Sequence, residues 1–104
     1  MVSEEQFGYR RAYKRLPCLL SATYKTHEVT QCQATCYDIS YKGAGIIASE
    51  PLAIDHGLTL ELNTMRSGLL SLEGTVRWCK KVSKGWQAGI MFDKILPFEL
   101  ERLV

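Results

Sequence analysis

The chain has 104 residues, of which 46% are hydrophobic and 10% aromatic, and its 13 basic and 11 acidic side chains leave a formal net charge of +2. This length suits one domain with its own core, and the composition is that of a folded chain rather than a disordered one. No apolar run approaches the roughly 18 residues that cross a bilayer. The start of the chain, with Glu4 and Glu5, lacks the basic region of a secretory signal. We therefore expect a folded cytoplasmic domain.

Positive charge is concentrated in two places along the chain. The segment from Arg10 to Arg15 contains four cationic side chains in six positions, and Arg77, Lys80, Lys81 and Lys84 form a second basic cluster. Such a density of like charge is self-repelling unless the segment is solvated or binds an anion. The segment from Arg10 to Arg15 is therefore either solvated or a candidate for anion binding.

The four cysteines are Cys18, Cys32, Cys36 and Cys79, which allow three disulfide pairings. Nothing in the sequence indicates an oxidising compartment, so we expect reduced, buried thiols. Cys32 and Cys36 lie near His27, but in a strand two residues four positions apart are about 13 Å from each other, too far to share one zinc ion. We expect neither a metal nor a cofactor.

Apolar residues recur with a period of two rather than 3.6, which predicts strands. The pattern places six of them at residues 16–25, about 29–39, 44–49, 58–62, 70–78 and 86–92. Alternation puts Trp78 on the same face as Leu72 and Val76. Pro97 and the helix-forming residues after it predict a short helix over residues 97–104. Six strands with no helix between them favour an antiparallel barrel or a sandwich.

Sequence motifs of the common enzyme classes are absent. The chain has no nucleophile elbow, no paired-histidine zinc motif and no phosphate-binding loop of the Walker type. His27 and His56 both fall in predicted turns, and Asp38 with Ser40 resembles two thirds of a hydrolytic triad that has no base. We expect a protein that is not an enzyme.

Arg11 and Arg15 lie four residues apart, so their long side chains can converge on one ligand in either an extended or a helical segment. Guanidinium groups offer planar sets of donors that match phosphate oxygens and the O6 and N7 edge of guanine. Lys14 would add charge without that shape. Taken alone, this spacing is also typical of a solvated basic arm.

A second motif, Asp38-x-Ser40-x-x-Gly43, offers the complementary chemistry. An ionised aspartate only accepts hydrogen bonds, as the N1 and N2 donors of guanine require, and Ser40 can donate to a phosphate or to its own turn. Gly43 permits a close backbone approach or a positive φ. The alternative for this loop is a simple Asx or Ser turn between two strands.

Together and in this order, the two motifs resemble the signature of the PilZ domain family. Similarity continues after the second arginine and in two later strands, at Leu16-Pro17, Gly74-Thr75-Val76-Arg77-Trp78 and Gly89-Ile90-Met91-Phe92. The resemblance implies one domain, with an N-terminal arm over residues 1–15, a six-stranded antiparallel β-barrel over 16–96 and a C-terminal helix over 97–104. It also implies a receptor for the bacterial second messenger cyclic di-GMP that transmits the signal to a protein partner.

The resemblance further implies roles for individual arginines. Arg11 and Arg15 would bind phosphate groups and guanine edges, with Arg10 as an additional contact. Family members often have another arginine where this chain has Tyr9, so the number of ligand copies stays open.

Other positions follow from the same resemblance. Asp38, Ser40 and Gly43 would contact the guanine base and its phosphate side. Trp78 would lie beside a guanine, as aromatic side chains stack on bases; its alternative role is core packing with Leu72 and Val76.

Two other functions are compatible with the sequence. One is a PilZ-like adaptor that acts through protein contacts without a nucleotide. The other is a small barrel that binds single-stranded nucleic acid through the two basic clusters and the aromatic residues Tyr13, Trp78 and Trp86. A net charge of +2 is low for nucleic-acid binding, so we do not expect a nucleic-acid partner.

Overall fold

The computed structural model describes residues 14–28, 30–64, 68–97 and 100–103. Arg10 and Arg11, which the sequence nominated as ligand contacts, lie outside the described residues. Six strands and one 3₁₀ helix follow one another in the chain: β1 Leu16–Thr26, β2 Cys32–Ile39, β3 Gly43–Ala48, β4 Gly57–Thr64, β5 Gly68–Val82, β6 Gly85–Phe92 and the 3₁₀ helix Leu100–Arg102. The six predicted strands are confirmed, although β2 begins three residues later than expected and β5 continues to Val82.

The strands form a closed antiparallel barrel in the order β1-β2-β3-β6-β5-β4. Alternating side chains give each strand one face towards the core of the barrel. In β1 the side chains of Leu20, Ala22 and Tyr24 are buried, while those between them point towards solvent. The same pattern in β6 buries Ala88, Ile90 and Phe92, as the sequence predicted. Closure pairs every strand on both sides and leaves no free sheet edge.

The C-terminal residues cover part of the core. Leu96, Leu100 and Leu103 are buried with the inward side chains of the barrel. The described part of the predicted C-terminal helix is the short 3₁₀ helix, and residues 98, 99 and 104 lie outside the description. Tyr41 holds this segment in place, because its carbonyl accepts a hydrogen bond from the Leu96 amide (3.0 Å) and its hydroxyl accepts one from the Leu100 amide (3.2 Å).

No helix in the described residues is long and apolar enough to cross a membrane.

The described strands contain one register shift in β1, between Pro17 and Leu20, and two further β-bulges in neighbouring parts of the barrel. One lies between Cys36 and Asp38 and the other between Val76 and Trp78, so that Tyr37 and Arg77 are the inserted residues. A bulge shifts every later side chain to the opposite face. The prediction that Trp78 shares the face of Leu72 and Val76 is therefore wrong: Trp78 lies on the outer surface, 37% exposed, and pairs with Gly89.

All four cysteines are free thiols. Cys18 and Cys36 lie closest, with 3.7 Å between their Sγ atoms, and the Cys18 thiol also donates to the Cys36 carbonyl. Burial raises the pKa of both thiols above the ordinary value of 9.0. The described residues contain no group of three or more His, Cys, Asp or Glu side chains placed to hold a metal ion.

Candidate functional site

A row of four paired residues crosses the outer surface of the barrel. Asp38 of β2 pairs with Gly45 of β3, Gly45 with Gly89 of β6, and Gly89 with Trp78 of β5. The ring of Tyr37 and the carboxylate of Asp38 lie over Gly45, and the indole of Trp78 lies over Gly89. A Cβ atom at Gly45 would be 2.7 Å from Asp38 Oδ1, and one at Gly89 would overlap the Trp78 ring. The side chains of Asp38 and Trp78 lie flat on the sheet because the two central positions are glycines.

Arg15 is brought to this row by the pairing of β1 with β2, in which Pro17 is opposite Asp38. Its Nη1 donates to Asp38 Oδ2 at 3.1 Å, and the second carboxylate oxygen, Oδ1, accepts the Gly45 amide at 2.9 Å. The pair is partly solvated, with side-chain exposures of 52% for Arg15 and 21% for Asp38. A surface pair of this kind stabilises the fold by less than about 1 kcal/mol, so its main effect is to orient the guanidinium.

Both partners keep unused hydrogen-bonding capacity in this arrangement. A guanidinium has five N–H donors and a carboxylate about four acceptor positions, of which this contact takes one each. The pair can therefore accept a ligand that offers both acceptors and donors at neighbouring atoms.

The loop between β2 and β3 is closed by Ser40. Its Oγ accepts the amides of Lys42 (3.2 Å) and Gly43 (3.1 Å), and the Ser40 amide donates to the Gly43 carbonyl at 2.8 Å. The hydroxyl therefore organises its own turn, the simpler of its two expected roles.

Gly43 supplies a close backbone approach rather than a positive φ. A Cβ atom there would overlap the carbonyl oxygen of Ile90 on β6. Nearby, the Phe92 amide donates to the Lys42 carbonyl at 2.7 Å. The loop is thus fixed against β6, with the Lys42 side chain exposed.

An open cleft of about 220 Å³ joins these features. Within the described part of the chain, the charged side chains that line it are all cations, and the other lining residues are small, apolar or aromatic. The lining consists of Arg15, Ser40, Lys42, Gly43, Ala44, Arg77, Trp78, Gly89, Ile90 and Met91. A cleft with a positive potential, an aromatic face and the adjacent Asp38 carboxylate suits an anion that carries a planar hydrogen-bonding ring.

The structure therefore brings together five of the predicted site residues: Arg15, Asp38, Ser40, Gly43 and Trp78. Arg10 and Arg11 remain predictions. Two cleft residues, Lys42 and Arg77, were not nominated as site residues from the sequence. Lys42 lies inside the Asp38–Gly43 motif, which could have indicated it. Alternation turns Arg77 outward, but its position beside an exposed Trp78 depends on a bulge that the sequence pattern does not show.

The family model of the PilZ domain matches residues 9–104. The chain belongs to the PilZ domain family. None of the curated protein sequences matches it. Among solved structures, this PilZ domain is similar to the PilZ domain of YcgR from Escherichia coli with c-di-GMP, at 16% identity and a TM-score of 0.69, over 85% of this chain and 81% of that one.

Two longer proteins contain a similar domain. The inhibitor of motility MotI/DgrA from Bacillus subtilis matches with a TM-score of 0.69 at 19% identity, over 85% of this chain and 44% of that one. YcgR of Escherichia coli in complex with c-di-GMP matches with a TM-score of 0.70 at 19% identity, over 85% and 40% of the two chains. The present chain thus spans less than half of either protein, and at these identities the likeness shows the shared fold.

Proposed function

We propose that this PilZ domain is a receptor that binds cyclic di-GMP in the cleft and transmits the signal to a protein partner. Family membership supports this proposal, as do the two similar YcgR structures that contain c-di-GMP. The observation that carries it is the contact between Arg15 and Asp38, 23 positions apart in sequence and 3.1 Å apart in space.

Each group in the cleft has a role in this proposal. The free N–H donors of Arg15 bind a phosphate or the O6 and N7 edge of guanine, and the remaining acceptor positions of Asp38 receive the guanine N1 and N2 donors. The exposed face of Trp78 stacks on a base. The ligand lies in the open cleft beside Asp38 and Trp78, and Arg10 and Arg11 add further phosphate contacts.

The proposed action is binding rather than catalysis, within the bacterial cytoplasm, where the free cysteines would stay reduced. Binding of the ligand at the cleft would alter how a second protein contacts this domain. Nucleic acid is not part of the proposal, because the described lining of the cleft offers one aromatic ring, Trp78, rather than a series of stacking platforms.

Hydrogen bonds to charged groups contribute roughly 1.5 to 3 kcal/mol each, against an association cost of at least about 4 kcal/mol. Two bidentate arginines and an aspartate are then sufficient for micromolar affinity, near −8 kcal/mol. We expect a dissociation constant of that order for cyclic di-GMP.

The decisive variant is Arg15→Ala, measured by isothermal titration calorimetry with cyclic di-GMP. It should bind about 30- to 150-fold more weakly, a loss of about 2 to 3 kcal/mol, because the ligand loses a charged donor set. The urea unfolding midpoint should change little, since the arginine is half exposed.

Arg102→Ala provides a matched control, because Arg102 is an exposed arginine outside the cleft. It should bind cyclic di-GMP like the unmodified protein. Equal affinities of the Arg15→Ala and Arg102→Ala proteins would mean that the site is misassigned. No binding by the unmodified protein would favour the adaptor function, and binding of any oligonucleotide with a steep salt dependence would favour the nucleic-acid function.

A further inference from the structure

Arg77 is the inserted residue of the β5 bulge, which turns Trp78 to the outer surface beside it. Val76 pairs with Ile90 and Trp78 with Gly89, so Arg77 has no opposite residue on β6. Bulges next to binding sites redirect side chains that regular alternation would place elsewhere. The result here is that Arg77 and Trp78, which follow one another in the chain, both line the same cleft.

The charge of Arg77 is available for a ligand. In the described parts of the chain the ion pair is that of Arg15 with Asp38, and no carboxylate there pairs with Arg77. The side chain is exposed, and among the described residues that line the cleft none is acidic. A cationic group in this position attracts an anion without first having to leave a protein partner.

Arg77 and Arg15 approach the cleft from different sides. Asp38, which Arg15 contacts, is on β2, and Arg77 is on β5, with β3 and β6 between them. At a strand spacing of about 4.8 Å, three steps across the sheet separate β2 from β5 by about 14 Å. Gly89 of β6, which lines the cleft, lies between the two sides.

We infer that Arg77 is a second anion-binding arginine of this site and contacts a phosphodiester group of the ligand from the side of the cleft opposite Arg15. The inference rests on the proposed function, because it names a further contact for the same ligand. A cyclic dinucleotide has two phosphodiester groups on opposite sides of its ring, so two cations on opposite sides of one cleft match its charge distribution. Arg77 then sets affinity, while Asp38 selects the base.

The test is calorimetric titration of cyclic di-GMP into Arg77→Ala, Arg77→Lys and a matched control, Lys81→Ala. Lys81 lies on the same strand and is exposed, but its ammonium group lies over the ring of Trp86, 5.2 Å from the centroid, and it does not line the cleft. Arg77→Ala and Lys81→Ala therefore remove the same charge from the same hairpin. Urea unfolding of each variant checks that the barrel is intact.

We expect Arg77→Ala to weaken binding about 10- to 30-fold, Arg77→Lys to recover part of that loss, and Lys81→Ala to stay within about twofold of the unmodified protein. The loss should be smaller at high salt, because it is electrostatic.

The inference is overturned if Arg77→Ala and Lys81→Ala bind equally well while Arg15→Ala still binds about 30- to 150-fold more weakly. That result would leave the proposed function standing. If the unmodified protein gives no heat with cyclic di-GMP, both the proposed function and the role of Arg77 are overturned.

Discussion

The two glycines at the centre of the outer row determine where the charged and aromatic groups of the cleft can lie. Gly89→Ala should displace the Trp78 indole, because the added Cβ would overlap the ring. Loss of stacking on one base costs roughly 1 to 3 kcal/mol, so we expect cyclic di-GMP to bind about tenfold more weakly or worse in calorimetry.

Gly57→Ala is the control for this change. A Cβ atom at Gly57 would meet only the Gly74 carbonyl oxygen, at an ordinary 3.7 Å. It adds a methyl group to the same barrel, so it should leave ligand affinity unchanged. Unaltered binding by the Gly89→Ala protein would show that the position of the Trp78 ring does not matter to the ligand.

The loop between β2 and β3 depends on one hydroxyl group. Ser40 is 8% exposed and accepts two backbone amides, from Lys42 and Gly43. In Ser40→Ala both amides lose that acceptor, and a buried donor without a partner costs roughly 1 to 3 kcal/mol. We expect the free energy of unfolding, measured with urea, to fall by about that amount.

Ser21→Ala is the matched control for Ser40→Ala, because Ser21 is an exposed serine on β1, outside the loop. It should alter the unfolding free energy by less than about 0.5 kcal/mol. If the two serine variants were equally stable, the Ser40 hydroxyl would not be what closes the turn.

The bulges are the elements that the sequence could not reveal. Period-two alternation predicted all six strands, because each turns one apolar face to the core. A bulge adds one residue without changing composition, so the pattern placed Trp78 inside, next to Val76, when the structure places it outside. The row of paired residues from Asp38 to Trp78 could not be predicted either, because it depends on the register of four strands, which the bulges shift.

The contact between Arg15 and Asp38, in contrast, followed from the sequence. Both belong to motifs whose order resembles a known family, and each motif has a fixed relation to a strand: one precedes β1 and the other ends β2. Antiparallel pairing of β1 with β2 then brings the start of one strand beside the end of the other. The contact at these strand ends was predictable, whereas the outward face of Trp78 inside β5 was not.

At the scale of the whole barrel, burial of the Cys36 thiol makes stability depend on pH. Burial raises its pKa above the ordinary 9.0, so the folded protein keeps a proton that the unfolded chain releases. The stabilisation that the protonated Cys36 thiol gives to the folded state is complete below pH 9. It is lost as the pH rises further, at about 1.4 kcal/mol per pH unit. Between pH 8 and pH 10, the unmodified protein should lose about 1.4 kcal/mol more unfolding free energy than Cys36→Ala.

Urea unfolding at the two pH values measures that difference. Cys36→Ala should be less stable at both, because it leaves a cavity in the core. The informative quantity is the change with pH, to which lysine and tyrosine titration contributes equally in both proteins. Parallel slopes would mean that the Cys36 thiol ionises as easily in the barrel as in the unfolded chain.

The outward turn of Trp78 gives the protein an optical reporter of its own. The chain has two tryptophans, and Trp86 lies outside the cleft beneath Lys81. Replacing Trp86 by phenylalanine would leave a single indole, on the outer wall, whose emission reports the polarity of the cleft. Occupancy could then be followed in dilute solution without labelling either molecule.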